Sequence, residues 1–353
     1  MRKVIVFLLL LLSNTVFFAQ TTYVPDDWFE QKLINLGYDD VMDDYVLTAN
    51  IQNVTSLYLG NSIAGYQEIH DLTGIEDFVS LESLNCRYNR ITSIDLSNCP
   101  NLEYLNVSRN NLTSLDLSNN TQLKNIDCSY NNIVNLDFGS NPLIETIDCN
   151  YNLSLSTLNV VNLSNLVKLN ARSNHLNSLD LSYNANLKYL DLSYSRIVSL
   201  DLSSNTLLQT FLLKNSSYLQ TLLFNNPNLE YLFLNNCSSL GALDVSTLQK
   251  LYTFSCVSNN LISINFGNIS NVVYLYINDN HLTNLNVSNL NKLKIFLCND
   301  NDLISLDVRN KNEINIKIFS SINNPNLSNI LVDDPNGFYL NTWNKDINTI
   351  FSE

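Results

Sequence analysis

Apolar positions recur with a fixed spacing over most of this chain. Aligned on leucine, three consecutive segments read LESLNCRYNRITSIDLSNCPN, LEYLNVSRNNLTSLDLSNNTQ and LKNIDCSYNNIVNLDFGSNPL, starting at residues 81, 102 and 123. The pattern starts again at residues 144, 166, 187, 208, 229, 251, 272 and 293, which makes eleven units, nine of 21 residues and two of 22. An irregular unit precedes them near Val54, and a degenerate one follows from residue 314. Self-similarity at this period is the signature of a solenoid.

Each unit reads L-x-x-L-x-L-x-x-N-x-L-x-x-L-x-L, with apolar side chains at positions one, four and six. Positions four and six have the period of two that a β-strand needs. No unit can bury this apolar row alone, but stacked units form a continuous core and a parallel sheet. The second half of a unit, such as LTSLDLS at 112–118, is short and rich in β-branched residues, serine and aspartate. Because it lacks helical periodicity, we expect a second short strand or an extended turn there.

The first half of the unit resembles the strand signature of the leucine-rich repeat, L-x-x-L-x-L-x-x-N, over residues 54–335. Among such proteins the chain is most similar to exported bacterial members, the internalin-like group. The opening YVPDDWFEQKLINLGYDD and the cysteines in leucine positions resemble flavobacterial members. The resemblance implies a mainly β, right-handed solenoid whose first strands form a concave parallel sheet. It also implies binding of a protein or glycan partner at a cell surface.

The two ends of the chain differ from the repeats. Residues 1–20 combine a basic start, MRK, an apolar run, VIVFLLLLL, and Ala19 near a candidate cleavage position, which predicts a secretory signal peptide. We therefore expect a secreted or surface-located protein. Residues 21–53 are expected to cap the solenoid with a helix over PDDWFEQKLINL (25–36). Residues 336–353 are expected to cap the other end with their aromatic side chains: Phe338, Tyr339, Trp343 and Phe351.

The net charge of the chain is −14 at pH 7, from 19 basic and 33 acidic residues. Removal of residues 1–20, which contain two basic and no acidic residues, would leave 17 − 33 = −16. This excess of acid argues against nucleic acid or an anionic membrane as the partner. Charged residues make up only 15% of the chain, which is too low for a disordered acidic segment. We expect a monomer without a cofactor and without a membrane span in the mature chain.

Asparagine at position nine is expected to lie in a tight inward turn of each coil. Its amide both donates and accepts hydrogen bonds, so it can bridge backbone groups of successive turns. It occurs in eight units: Asn89, Asn110, Asn131, Asn152, Asn174, Asn259, Asn280 and Asn301. The exceptions are Ser195, Ser216 and Cys237, and we expect a less regular coil around residues 195–237.

Five of the seven cysteines occupy position six, where other units have an apolar residue. They are Cys86, Cys128, Cys149, Cys256 and Cys298. We expect them to be small buried hydrophobic side chains. A disulfide between Cys128 and Cys149 is an alternative, although parallel side chains on adjacent strands fit disulfide geometry poorly. No histidine shares these columns, so we do not expect zinc.

Aspartate forms an outward-facing column in the second half of most units: Asp95, Asp116, Asp137, Asp180, Asp201, Asp244 and Asp307. We interpret the column as structural, with carboxylates that accept hydrogen bonds from nearby backbone or hydroxyl groups. A calcium-stiffened structural or adhesive rod is the alternative, because hard oxygen ligands suit calcium. The Gly-rich, Asp-containing loops of calcium-binding β-helices are missing from the sequence, so we assign no metal ligands.

Positions three, five and seven of the first strand are expected to face solvent. Their character changes from Asn, Asp and Arg in the first units to aromatic and aliphatic residues in the later ones. Contiguous exposed apolar patches usually mark interaction sites. Cross-strand stacking that only stiffens the sheet is the alternative. The candidate partner-binding residues are Asp127, Asp148, Tyr189, Leu212, Tyr231, Phe233, Tyr274, Tyr276, Ile295 and Leu297.

Asp127 and Asp148 occupy the same column of adjacent units, which raises the alternative of a glycan hydrolase. Retaining glycoside hydrolysis needs two carboxyl groups about 5 Å apart. Carboxyl groups in one column, however, point in parallel from an open sheet, which neither brackets a substrate nor excludes water. The sequence therefore favours a non-catalytic recognition protein over an enzyme.

Overall fold

Successive repeats contribute one three-residue strand each to a parallel sheet of thirteen strands, which we call the long sheet. The structure is a computed structural model that describes residues 19–61, 68–237 and 240–353. All but the last two residues of the predicted signal peptide lie outside the described residues. The strands of the long sheet are Ser56–Tyr58, Ser83–Asn85, Tyr104–Asn106, Asn125–Asp127, Thr146–Asp148, Lys168–Asn170, Tyr189–Asp191, Thr210–Leu212, Tyr231–Phe233, Thr253–Ser255, Tyr274–Tyr276, Ile295–Leu297 and Ile318–Ser320.

The order of strands in the long sheet follows the order of the chain, as stacked coils require. Position four of each unit stands opposite position four of the next, as Leu84, Leu105 and Ile126 do. These side chains are buried, together with the residues at positions one and six, in a single core that runs through the whole solenoid. Burial of one such side chain contributes about 1.5–3 kcal/mol. The solenoid is therefore stabilised mainly by contacts between neighbouring coils.

The second half of the repeat forms short strands and extended turns, as predicted. These back strands form four separate parallel sheets. Within the described residues beyond 51 the chain has no α-helix, only three short 3-10 helices: Ile75–Asp77, Glu313–Asn315 and Phe338–Thr342. The back strands are Asn135–Asp137 with Thr157–Asn159, Ser199–Asp201 with Thr221–Leu223, Ala242–Asp244 with Ser263–Asn265, and Asn284–Asn286, Ser305–Asp307, Asn329–Leu331 and Ile350–Ser352.

The position-nine asparagines form the predicted buried ladder. Asn110 is representative: its Nδ2 donates to the carbonyls of Cys86 and Val107, both at 3.0 Å. Its Oδ1 accepts from the amide of Ile91 at 3.1 Å. The Asn110 side chain thus bonds to the backbone of its own unit, at Val107, and of the preceding unit, at Cys86 and Ile91. Asn324 extends the ladder into the last unit, with its Nδ2 2.9 Å from the carbonyl of Ser321.

The irregular coil that the ladder's exceptions predicted is absent from the long sheet. Tyr189, Thr210 and Tyr231 pair in an unbroken register. Short polar side chains take the place of asparagine in this turn. The hydroxyls of Ser195 and Ser216 lie 3.4 Å apart in the core. The Cys237 thiol likewise takes the asparagine's place, 3.0 Å from the carbonyl of Leu213.

A second asparagine ladder, which the sequence analysis missed, lies in the other turn of the coil. Asn141 shows its geometry: its Nδ2 donates to the carbonyls of Leu117 at 2.9 Å and Asn120 at 3.0 Å. The signal was an asparagine three residues before the start of the next unit, a position that Cys99 occupies in the unit that begins at residue 81. The members of this ladder are Asn120, Asn141, Asn184, Asn205 and Asn226.

The predicted N-terminal capping helix is present as Asp27–Leu36. Asp26 caps it by accepting from the amides of residues 28 and 29, and Gly37 ends it in a left-handed conformation with φ of 80°. Phe29 packs on Phe78 in the first coil, with ring centres 6.4 Å apart. Antiparallel strands Thr21–Tyr23 and Tyr45–Leu47 and a short helix, Thr48–Ile51, complete this end.

Trp343 covers the last coil at the other end. Its ring is 5% exposed and stacks on Phe319 with centres 4.2 Å apart. Tyr339 and Phe351 contact Trp343 at 5.9 and 6.0 Å between ring centres. Phe338 is 74% exposed and only touches Tyr339 edge-on, with ring centres 6.0 Å apart, so it adds little to the cover that we expected of it. The 3-10 helix directs Tyr339 inward, where its hydroxyl donates to Glu313 at 3.0 Å.

Candidate partner-binding surface

The later strands of the long sheet bring seven of the candidate residues together. Tyr231, Tyr274 and Ile295 fall in position three, and position five holds the other four. Adjacent strands of a sheet lie about 4.8 Å apart, so these side chains form one contiguous surface. We call it the apolar patch: Leu212, Tyr231, Phe233, Tyr274, Tyr276, Ile295 and Leu297.

The side chains of the apolar patch are less exposed than position and period alone suggest. Tyr231 is 38% exposed, and the other six are half-buried. The small residues between them, Thr253 and Ser255, are almost fully buried although they occupy the same two columns. Bulky side chains on both sides cover these small ones, which gives a dense surface instead of a row of separate rings.

Tyr252 belongs to this surface and was missed by the sequence analysis. Its ring lies edge-on between Tyr231 and Tyr274, with centres 6.1 and 5.4 Å apart. A hydrogen bond with Tyr274 raises the pKa of the Tyr252 phenol. Tyr252 stands at position two, where most units have a charged residue. An aromatic residue in a charged column was the available signal.

Cations border the apolar patch on its polar side. The Lys214 ammonium lies 4.5 Å from the centre of the Phe233 ring. Lys168 lies 5.5 Å from the centre of the Tyr189 ring in the same way. Burial and the nearby carboxylate of Asp191 raise the pKa of Tyr189. Thr210 stands between Tyr189 and Tyr231 in the sheet, so we group Tyr189 with the polar residues although its strand pairs with that of Leu212.

Asp127 and Asp148 stand side by side at this polar end. Asp127 accepts from the hydroxyl of Ser129 at 2.6 Å and from the side-chain Nδ2 of Asn106 at 3.3 Å. Asp148 accepts from Asn170 at 3.0 Å and from the side chain of Asn150. Each carboxylate thus bonds to an asparagine on the strand at its outer side, and the resulting carboxylate row covers four adjacent strands.

A depression of about 370 Å³ lies over this carboxylate row. Burial raises the pKa of Asp148, and the charge of Asp127 adds to this effect. Because the two carboxylates lie on neighbouring parallel strands and each is held by its own asparagine, they offer a polar contact point and not an opposed acid–base pair. The lining residues are Tyr104, Asn125, Ile126, Asp127, Thr146, Ile147, Asp148 and Lys168.

The cysteines are core residues. All seven are buried and none forms a disulfide. Burial raises the pKa of Cys86 to about 12 and that of Cys128 well above its usual range. A thiol that stays protonated is a poor nucleophile and a poor metal ligand. The prediction of small buried hydrophobic side chains is therefore confirmed.

The aspartate column of the back has the predicted structural role. In each case a carboxylate oxygen accepts from the amide two residues on, as Asp116 does from Ser118 and Asp201 from Ser203, at 2.9 and 2.8 Å. These bonds to Ser118 and Ser203 lower the pKa of both aspartates. Among the described residues no group of three or more His, Cys, Asp or Glu side chains is placed to hold a metal ion.

Comparison with known proteins agrees with this architecture. The family model described as Leucine Rich repeats (2 copies) matches residues 79–120. The internalin InlF of Listeria monocytogenes has a TM-score of 0.65 and 21% sequence identity, over 92% of this chain and 95% of that one. The chain has the fold of a leucine-rich repeat solenoid, and its architecture is internalin-like. No curated protein sequence matches it.

Two further leucine-rich repeat structures show the same likeness of fold. One is a protein of Leptospira interrogans, with a TM-score of 0.51 and 18% identity over 72% of this chain and 68% of that one. The other is the Arabidopsis receptor kinase HAESA, solved with the peptide hormone IDA and the co-receptor SERK1, with a TM-score of 0.53 and 18% identity. The match with HAESA covers 73% of this chain and 50% of the HAESA chain. Such solenoids present extended surfaces that are typical of protein recognition.

Proposed function

We propose that this leucine-rich repeat protein is a secreted or surface-located, non-catalytic recognition protein that binds a protein partner through its long sheet. The observation that carries the proposal is the apolar patch. Large aromatic and aliphatic side chains remain partly open to solvent on four of five adjacent strands, which otherwise pack tightly. Contiguous patches of this kind usually mark interaction sites. The N-terminal sequence MRKVIVFLLLLL supports export.

A protein partner fits the patch better than a glycan. The apolar patch contains aliphatic side chains beside its aromatic rings: Leu212, Ile295 and Leu297. Aliphatic side chains favour contact with other apolar side chains. Tyr252 has its neighbours edge-on on both sides, so the rings do not form one flat platform for a sugar. In the described residues, none of the helices has the length and hydrophobicity that a membrane crossing needs.

The two alternatives from the sequence have less support. The carboxylates of Asp127 and Asp148 point from adjacent parallel strands and are held by amides, which gives no reason to propose hydrolysis. The back aspartates already use an oxygen in a local turn, so a calcium-stiffened rod is also less favoured. Thermal unfolding with and without a chelator would detect such a calcium role as a shift in the melting temperature.

The test is capture of a partner by the mature chain from cells of the source organism, followed by affinity measurement. Replacing Phe233 and Tyr276 with serine should weaken binding by roughly 2–4 kcal/mol for each residue that anchors the partner, which is about 30-fold or more. The matched control replaces Tyr183 and Tyr218 with serine, because both are exposed tyrosines outside the apolar patch. Equal binding by the two double variants would refute the proposal, and capture of glycan alone would refute the choice of a protein partner.

A further inference from the structure

A stacked row of side chains follows one edge of the long sheet, at position eight of the repeat. Four successive coils contribute Tyr88, Arg109, Tyr130 and Tyr151, which we call the rim row. The Arg109 guanidinium carbon lies 4.9 Å from the centre of the Tyr88 ring and 3.9 Å from that of Tyr130. Tyr130 stacks on Tyr151 with ring centres 4.5 Å and planes 10° apart. A guanidinium group is thus clamped between two aromatic rings.

The backbone of the rim row has a conformation that such residues disfavour. All four have left-handed φ values between 54° and 57°. A bulky residue in this conformation costs on the order of 1 kcal/mol or more. Four later coils place better-suited types at the same position, Asn215, Asn236, Asp279 and Asp300, and three others have Ser173, Tyr194 and Ser258 there. The turn itself does not require tyrosine or arginine, so these side chains have another role.

Arg109 has unused hydrogen-bond donors. Arg90 pairs with Glu68 and Arg309 with Asp307, whereas Arg109 forms neither an ion pair nor a side-chain hydrogen bond within the described part of the chain. Arg109 is exposed, and its guanidinium carbon lies over the rings of both tyrosines. Five N–H donors in a planar fork match a carboxylate, and a stacked fork is ordered before a ligand arrives.

We propose that Arg109, held between Tyr88 and Tyr130, binds a carboxylate side chain of a protein partner in a bidentate manner. This inference rests on the proposed function only in taking the partner to be a protein, because no residue of the apolar patch takes part. Tyr130 has both faces covered, by Arg109 and by Tyr151, so it has none left to stack on a sugar ring. The rim row therefore suits an acidic peptide better than an acidic glycan.

The acidity of the whole chain does not oppose this site. Charges farther away than about 8 Å are largely screened at physiological ionic strength. A bidentate pair depends on direct contact and is worth more than a single exposed charge. In a chain of net charge −14, one ordered cation gives an acidic group of the partner a defined position.

The experiment measures binding of a labelled, end-blocked peptide with adjacent glutamates to the full chain by fluorescence anisotropy. A matched peptide has glutamine in place of glutamate, and a galacturonate oligosaccharide is the third probe. We expect about tenfold tighter binding of the glutamate peptide than of the glutamine peptide. Arg109→Lys keeps a cation over the rings but removes the planar fork, so it should abolish this preference without lowering the melting temperature.

The matched control is Arg196→Lys, an exposed arginine on another coil, which should keep the preference. Equal affinity for the two peptides would overturn the proposal, as would a preference that survives in Arg109→Lys, or binding of galacturonate alone. The Phe233→Ser/Tyr276→Ser variant should bind the glutamate peptide as the wild type does. Loss of partner capture in that variant with retained peptide binding therefore reports on the apolar patch alone.

Discussion

The asparagine ladder makes a quantitative prediction for Asn110→Ala. This substitution removes the Nδ2 group, which donates to the carbonyls of Cys86 and Val107 at 3.0 Å and also contacts that of Ser108 at 3.3 Å, and it removes the Oδ1 acceptor of the Ile91 amide. The carbonyl of Cys86 keeps a bond from Asn89 at 2.9 Å, and that of Val107 keeps one from Asn131 at 3.0 Å. Only the buried amide of Ile91 is left without a partner.

The magnitude follows from this count. An orphaned buried amide costs about 1–3 kcal/mol, and each of the two lost carbonyl bonds contributes about 0.5–1.5 kcal/mol. We therefore expect Asn110→Ala to lower the free energy of unfolding by about 4 kcal/mol. Asn110→Asp should cost more, because it places a carboxylate oxygen against two carbonyl oxygens in the core.

The assay is urea unfolding followed by far-ultraviolet circular dichroism, with hydrogen exchange of the Ile91 amide as the local measurement. The control is Asn111→Ala, since Asn111 is the next residue and its side chain is exposed. Equal stability of Asn110→Ala and Asn111→Ala would refute the ladder argument. A loss without faster exchange at Ile91 would show that the orphaned amide is not its cause.

Three further predictions concern the buried thiols, the carboxylate of Asp148 and the C-terminal cap. The native chain should resist thiol alkylation at pH 8 while the urea-unfolded chain reacts at all seven cysteines, because burial raises their pKa; rapid labelling of the folded protein would contradict this. Asp148 has a raised folded pKa, so the stability it contributes is present at low pH and is lost as pH rises through that pKa. In Asp148→Asn the free energy of unfolding should therefore fall less steeply as the pH rises above the ordinary carboxyl range. An unchanged pH profile of the unfolding free energy would count against burial of this charge. Trp343→Ala should lower stability by about 3–5 kcal/mol and expose the amides of the last coil to hydrogen exchange, whereas Phe338→Ala, at an exposed ring, should change neither.

The candidate surface was predictable in position but not in detail. Alignment of the repeats located the apolar patch, because side chains two residues apart on a strand share a face of the sheet. It did not reveal Tyr252, whose ring reaches the patch from position two between Tyr231 and Tyr274. It also did not show that Thr253 and Ser255 are covered by larger neighbours, because such cover depends on side-chain packing across strands.

The sequence by itself determined the solenoid. A period of 21 or 22 residues, apolar positions one, four and six, and a recurring Asn dictate stacked coils, a parallel sheet and a bonded turn, since each unit can bury its apolar row only against the next. The tertiary structure alone decided which side chains meet between coils. It showed that Ser195 and Cys237 can replace asparagine without a break, and that Arg109 is clamped by Tyr88 and Tyr130. Those contacts depend on rotamers and on spacing between residues about 21 positions apart, which the repeat pattern does not encode.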